Sequence, residues 1–269
     1  MFQKLLLLIF LWGFQHIATT QNLIPKYTYS KDISINYWVP DNVGNIYVYG
    51  NDILEKMSNG QLPSFSQSIK SVGEIEQILP INALKTLLFS ETQQQLCFID
   101  NTLSINGSCI DLEKFNIQNA LLCATSSRPN LIYVYDQINS SLFLIDINSK
   151  SIVQTIPNLE GVIGIPLEIS ELLEHNNNLF IKTKDNHVYE LDMFLNFKQE
   201  LALLHKHLLF WKDYIVDFQN DEIILNHLLS DKIKTIPLDD ISAEVLKING
   251  DSFYFSTAKK IMVYELIPL

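Results

Sequence analysis

The sequence predicts an all-β fold assembled from one repeated unit. Three observations carry that prediction. Short runs rich in β-branched and aromatic residues recur along the chain, tight-turn residues separate them, and pairs of runs return at a steady interval. Residues 40–61, PDNVGNIYVYGNDILEKMSNGQ, show the unit in full. NIYVY and DILEKM flank Gly-Asn-Asp, and Ser-Asn-Gly follows the second run; both breaks allow the positive φ of a tight turn.

The first element in the chain is MFQKLLLLIFLWGFQHIATTQ. One lysine precedes an apolar run over residues 5–14, and the small residues Ala18, Thr19 and Thr20 follow. This order predicts a secretory signal peptide over residues 1–20, cut before Gln21. The apolar run is too short for a bilayer crossing, which needs ~20 residues, and no later stretch reaches that length. The expected location is therefore outside the cytoplasm: periplasmic, outer-membrane-associated or secreted.

The paired runs come next. NIYVY is echoed by TLLFS, LIYVYD, NLFIKT, DYIVDF and SFYFST, and each echo is followed by a second run: QLCFID, SLFLID, HVYELD, EIILNH and KIMVYEL. Anchors at Ile46, Leu87, Ile132, Leu179, Tyr214 and Phe253 are spaced 41, 45, 47, 35 and 39 residues apart. A period near 40 with four short strands per unit is the mark of β-propeller blades. Inner strands are expected at ISINYWV, EIEQILP, NALLCAT, ISELLEH, KHLLFW and AEVLKIN. Outer strands are expected at PSFSQ, LSINGS, SIVQTIP, FKQELAL and KIKTIPL. The sixth unit has no residues left for an outer strand, so KYTYS near the N-terminus is expected to supply it and leave no free sheet edge. The expectation is a six-bladed propeller over residues 21–269. Its blades lie at roughly 32–68, 74–110, 117–158, 167–203, 206–238 and 243–269, the last completed by 26–30. A two-sheet sandwich also has short strands, but it does not predict pairs at a constant interval. EISELLEH has apolar residues at helical spacing and is kept as a strand.

DNVGNIYVYGNDILEKMSNGQ resembles the NHL-type repeat, in which Asp and Gly-Asn lead into a β-branched and aromatic run. ALKTLLFSETQQQLCFIDNTLS, LIYVYDQINSSLFLIDIN and LLEHNNNLFIKTKDNHVYELDMF are similar to an uncharacterised group of exported six-bladed propellers of Bacteroidetes. The resemblance implies a fold and an exported location. It brings no activity and no functional residues.

Composition narrows the function classes. The chain has 269 residues, is 47% hydrophobic and 18% charged, and so has the material for a folded core. Its 30 Asp and Glu outweigh 19 Lys and Arg, for a net charge of −11. So acidic a surface repels a phosphate backbone and argues against nucleic acid as partner. Arg128 is the only arginine. Of three cysteines, Cys97, Cys109 and Cys123, at least one must be unpaired in an exported protein. A bridge between Cys97 and Cys109 stays open, but neither sits at an obvious cross-strand register. The pattern favours buried free thiols.

Motifs for chemistry are sparse. The chain has no G-x-S-x-G, no phosphate-binding loop and no H-E-x-x-H, so no catalytic or metal residue is assigned. His205 and His207 alternate on an expected strand and share a face, which suits zinc or copper, though two surface histidines explain them as well. No cofactor is expected, and calcium is the alternative. Propellers of the gluconolactonase and paraoxonase type hold it at the channel mouth with oxygen ligands, and Glu76, Asn119, Glu171, Glu174, Asp213 and Asn249 stand at inner-strand ends. Asp100, Asp146 and Asp192 recur after the second run and are expected to close turns by side-chain hydrogen bonds. Trp38 and Trp211 fall in inner strands, where they face the channel or pack between blades. The candidate channel residues are thus Trp38, Glu76, Asn119, Glu171, Trp211 and Asp213. The leading expectation is a monomeric, non-catalytic binding module whose partner is an envelope or extracellular protein. The alternative is a calcium-dependent lactonase-type hydrolase.

Overall fold

The computed structural model describes residues 22–30, 35, 37–58, 63–219, 222–238 and 241–267. The expected signal peptide and the start of the first expected blade lie outside these residues. The described residues form six four-stranded antiparallel sheets in a ring, a six-bladed β-propeller. No helix among them is long and apolar enough to cross a membrane.

Blade one runs outward from the axis through Tyr37–Pro40, Asn45–Gly50, Ile53–Ser58 and Pro63–Ser68. Blade two holds Gln77–Asn82, Lys85–Ser90, Gln95–Asp100 and Ile110–Asp111, and blade three Ala120–Thr125, Leu131–Asp136, Ser141–Asp146 and Ser151–Ile156. Blade four holds Ile169–His175, Asn178–Thr183, Val188–Leu191 and Phe197–Glu200. Blade five holds Phe210–Trp211, Tyr214–Gln219, Glu222–His227 and Ile233–Pro237. In blade six, Val245–Asn249, Ser252–Ser256 and Lys260–Ile267 are joined by Asn22–Ser30 from the N-terminal end. The closing strand is longer than KYTYS and pairs with the last strand from Asn22↔Ile267 to Ser30↔Lys260.

The second and third strands are apolar without alternation because both of their faces are covered. In blade two, Leu87 and Phe89 pack against blade three while Leu88, between them, packs against blade one. Outer strands have no further blade to cover them, and Pro63–Ser68 is exposed throughout. The two-residue turn after Tyr49 and Gly50 puts Asn51 at φ 53° and Asp52 at φ 60°, as a hairpin of opposite-handed type I turn requires. Asp100, Asp146 and Asp192 close third-to-outer turns as expected: Asp192 Oδ1 accepts from the backbone N–H of Phe194 at 2.8 Å and of Asn196 at 2.9 Å.

Three expectations need correction. Cys97 and Cys109 are a disulfide, with Cα atoms 4.2 Å apart; Cys123 is free and buried. The bridge escaped strand-register reasoning because LSINGS is not an outer strand. After Asp100 the chain folds back, touching the third strand by the single bridge Ile99↔Ile105, and reaches its outer strand only at Ile110–Asp111. KHLLFW shortens to Phe210–Trp211. His205 and His207 accordingly do not share a strand face: His205 turns inward to Asp217, while His207 lines the channel. EISELLEH is a strand, Ile169–His175. Between blades three and four lies the one-turn helix Leu159–Ile163, which the sequence reading did not anticipate.

Candidate functional site

Within each blade the inner-to-second and third-to-outer turns lie at one end. The second-to-third turns and the connections between blades lie at the other. The ring therefore has a turn face and a connection face, joined by the channel between the six inner strands. That channel has a volume of about 530 Å3. Its walls are mostly apolar, with Leu79, Leu122, Leu172, Leu209, Leu246 and Ile248 among them. Polar side chains interrupt the walls at Asn42, Gln77, Thr125, Ser170, His207 and Asn249, and Gln77 is spent on the backbone of Cys123, donating to its C=O at 3.1 Å and accepting from its N–H at 2.6 Å.

Two charged side chains in the wall stand out. Glu171 Oε1 meets Lys182 Nζ at 2.9 Å, and its Oε2 accepts from the backbone N–H of Leu208 at 3.1 Å. Lys247, on the inner strand of blade six, donates to the backbone C=O of Trp38. Its ammonium lies 4.9 Å from the ring centre of Tyr37 and 5.2 Å from that of Trp38. Burial lowers its pKa to about 8, against a smaller upward pull from Glu171.

The other residues singled out from the sequence are spread over the ring. Trp38 is buried between blades one and six, donating through Nε1 to Ser256 Oγ at 3.1 Å. Trp211 is buried beside Phe253 and donates to Asp251 Oδ1 at 2.8 Å. Glu76, on the connection face, accepts from the N–H of Glu91 at 2.6 Å, and burial raises its pKa. Asn119 bridges towards Gln94 and Gln137 at the same face. Asp213 is exposed in an inner-to-second turn. Asn249 lines the channel and donates to the backbone C=O of Asp41.

Glu174 anchors the channel's turn-face mouth. It accepts from Ser126 Oγ and Tyr133 OH, each at 2.7 Å, and from the N–H of Ser127 at 2.8 Å. Burial pushes its pKa up, but these hydrogen bonds outweigh it and the net shift is downward. Arg128 donates to Tyr133 OH at 3.2 Å in the same mouth. Among the described residues no three His, Cys, Asp or Glu side chains converge as a metal site requires. Lys247 was not singled out from the sequence: a lone lysine in a strand reads as a surface residue, and its aromatic neighbours are some 210 positions away.

No family model matches the chain, and no curated protein matches it by sequence. Solved structures do match. Selenomethionine-substituted virginiamycin B lyase from Staphylococcus aureus is 12% identical with a TM-score of 0.51, over 86% of this chain and 80% of that one. The β-propeller domain of Cps50 (Swd1) from Myceliophteria thermophila is 11% identical with a TM-score of 0.54, over 86% and 82%. At these identities the likeness extends to the fold alone.

Proposed function

We propose that this propeller is an exported, non-catalytic binding module that docks an envelope or extracellular protein on its turn face. The observation that carries this reading is a set of bare apolar tips. Val43, Leu84, Phe194 and Leu229 are 58%, 68%, 65% and 83% exposed, and all four lie in inner-to-second or third-to-outer turns. Exposed apolar groups on a rigid frame, rimmed by polar turns, are what a protein partner covers. Ile138 and Leu204 on the connection face are 64% and 61% exposed, below the 68% and 83% of Leu84 and Leu229 on the turn face. The disulfide supports the exported location, since such bonds persist in oxidising compartments. So does the likeness of the sequence to exported propellers of Bacteroidetes with NHL-type repeats.

The test compares the wild type with a variant carrying Val43→Ser, Leu84→Ser, Phe194→Ser and Leu229→Ser, both as bait against solubilised envelope fractions. The reading expects a protein captured by the wild type and reduced at least tenfold with the variant, at an unchanged melting midpoint. Equal capture by both, or none by the wild type, overturns it. Fractionation of the producing cell and the mass of the mature N-terminus test export directly.

A further inference from the structure

Lys247 poses a problem that the rest of the molecule does not solve. The chain is strongly acidic, yet this ammonium has no carboxylate within ion-pair distance among the described residues. The one hydrogen bond it makes among the described residues goes to the C=O of Trp38, and two aromatic faces lie beside it. Two of its three N–H groups have no protein acceptor among the described residues. Glu171, the acid whose charge it feels, is already held by Lys182 and Leu208. Lys247 is half-buried in the channel wall, so its ammonium is partly stripped of water without an anionic partner, and cation–π contact offsets only part of that cost. The lowered pKa is the consequence.

We propose that the channel binds a small organic carboxylate with an apolar body, its carboxylate on the Lys247 ammonium and its hydrocarbon part along the leucine walls. A carboxylate supplies the missing counter-charge through short charge-assisted hydrogen bonds. The channel volume of about 530 Å3 lies within the ~300–1,000 Å3 of small-molecule sites. Leu79, Leu122, Leu172 and Leu209 suit an alkyl or aryl group rather than a sugar or a second charge. His207, in the same wall, carries no hydrogen bond of its own among the described residues and offers a further donor to the anion. This inference does not rest on the turn-face reading, and either can fail alone.

The test is calorimetric titration of the whole protein with octanoate and phenylacetate, with octanol as the uncharged control and succinate as the doubly charged one. Both monocarboxylates should bind at one site and at least tenfold tighter than octanol or succinate. Lys247→Met should weaken octanoate by at least tenfold while leaving octanol unchanged. Should that variant fail to fold, acetylation of the wild type gives an independent readout by peptide mass: octanoate should shield Lys247 from reagent and octanol should not. Octanoate binding equally to wild type and variant, failing to bind, or leaving Lys247 unshielded overturns the proposal.

Discussion

The two sides of blade four are built on different principles. The side facing blade three presents Leu179, Ile181, Tyr189 and Leu191, which join Tyr133, Tyr135, Leu142 and Leu144 in an unbroken apolar cluster. The side facing blade five presents the alternating residues of the same strands: Phe180, Lys182, Val188 and Glu190. Half of that side is charged and buried. Lys182 is bound by Glu171, while Glu190 is bound by Lys198 at 2.5 Å and Gln199 at 2.7 Å. Blade five answers in kind. Asp217 Oδ2 accepts from His205 Nδ1 at 2.7 Å and Asn226 Nδ2 at 3.1 Å, while Oδ1 is buried without a partner among the described residues. A cleft of about 670 Å3 opens along this seam. Period-two alternation thus gives one blade an apolar seam and a polar one. Stability should therefore concentrate on the first.

The largest effect should come from the apolar seam. Leu179→Ala removes a fully buried side chain from a close-packed site and should cost about 2–5 kcal/mol in denaturant unfolding. Ile215→Ala, equally buried but beside the cleft, should fall at the lower end of that range, because water can reach the space it leaves. Equal costs at the two positions would end the comparison. His205→Ala should come next: it strips Asp217 of one of its two side-chain donors, leaving Asn226, and should cost about 1–3 kcal/mol.

The comparison also explains what the sequence could reveal. LIYVYD and TLLFS were legible because covering a strand on both faces demands consecutive apolar residues, and such pairs returning about every forty residues are a mark of propeller blades. The turn aspartates were legible because their partners are two to four residues away. The polar seam was not. His205 meets Asp217 only because the chain leaves strand geometry before Phe210, an irregularity that no local pattern encodes. The disulfide was hidden by a similar fold-back, and Lys247 by the ring closure that brings blade one against blade six. Among the six channel candidates, Glu171 lines the wall; its tie to Lys182 became visible only once blade four had a defined register.

The smallest effect should be the most telling. If the polar seam owed its stability to the His205–Asp217 pair, replacing both residues would be as damaging as replacing one. Buried polar pairs rarely behave so, because much of what their attraction contributes offsets their own desolvation. Removing one member strands the other, whereas removing both removes the cost along with the gain. His205→Leu with Asp217→Leu should therefore lie within about 1 kcal/mol of the wild type, well above the single His205→Ala variant. Asn226 will still lose an acceptor in the double variant, and the cleft gives its amide access to water instead. A double variant no more stable than the single would mean that the pair sets the geometry of the seam. The difference between the two sides of blade four would then be one of design rather than of strength.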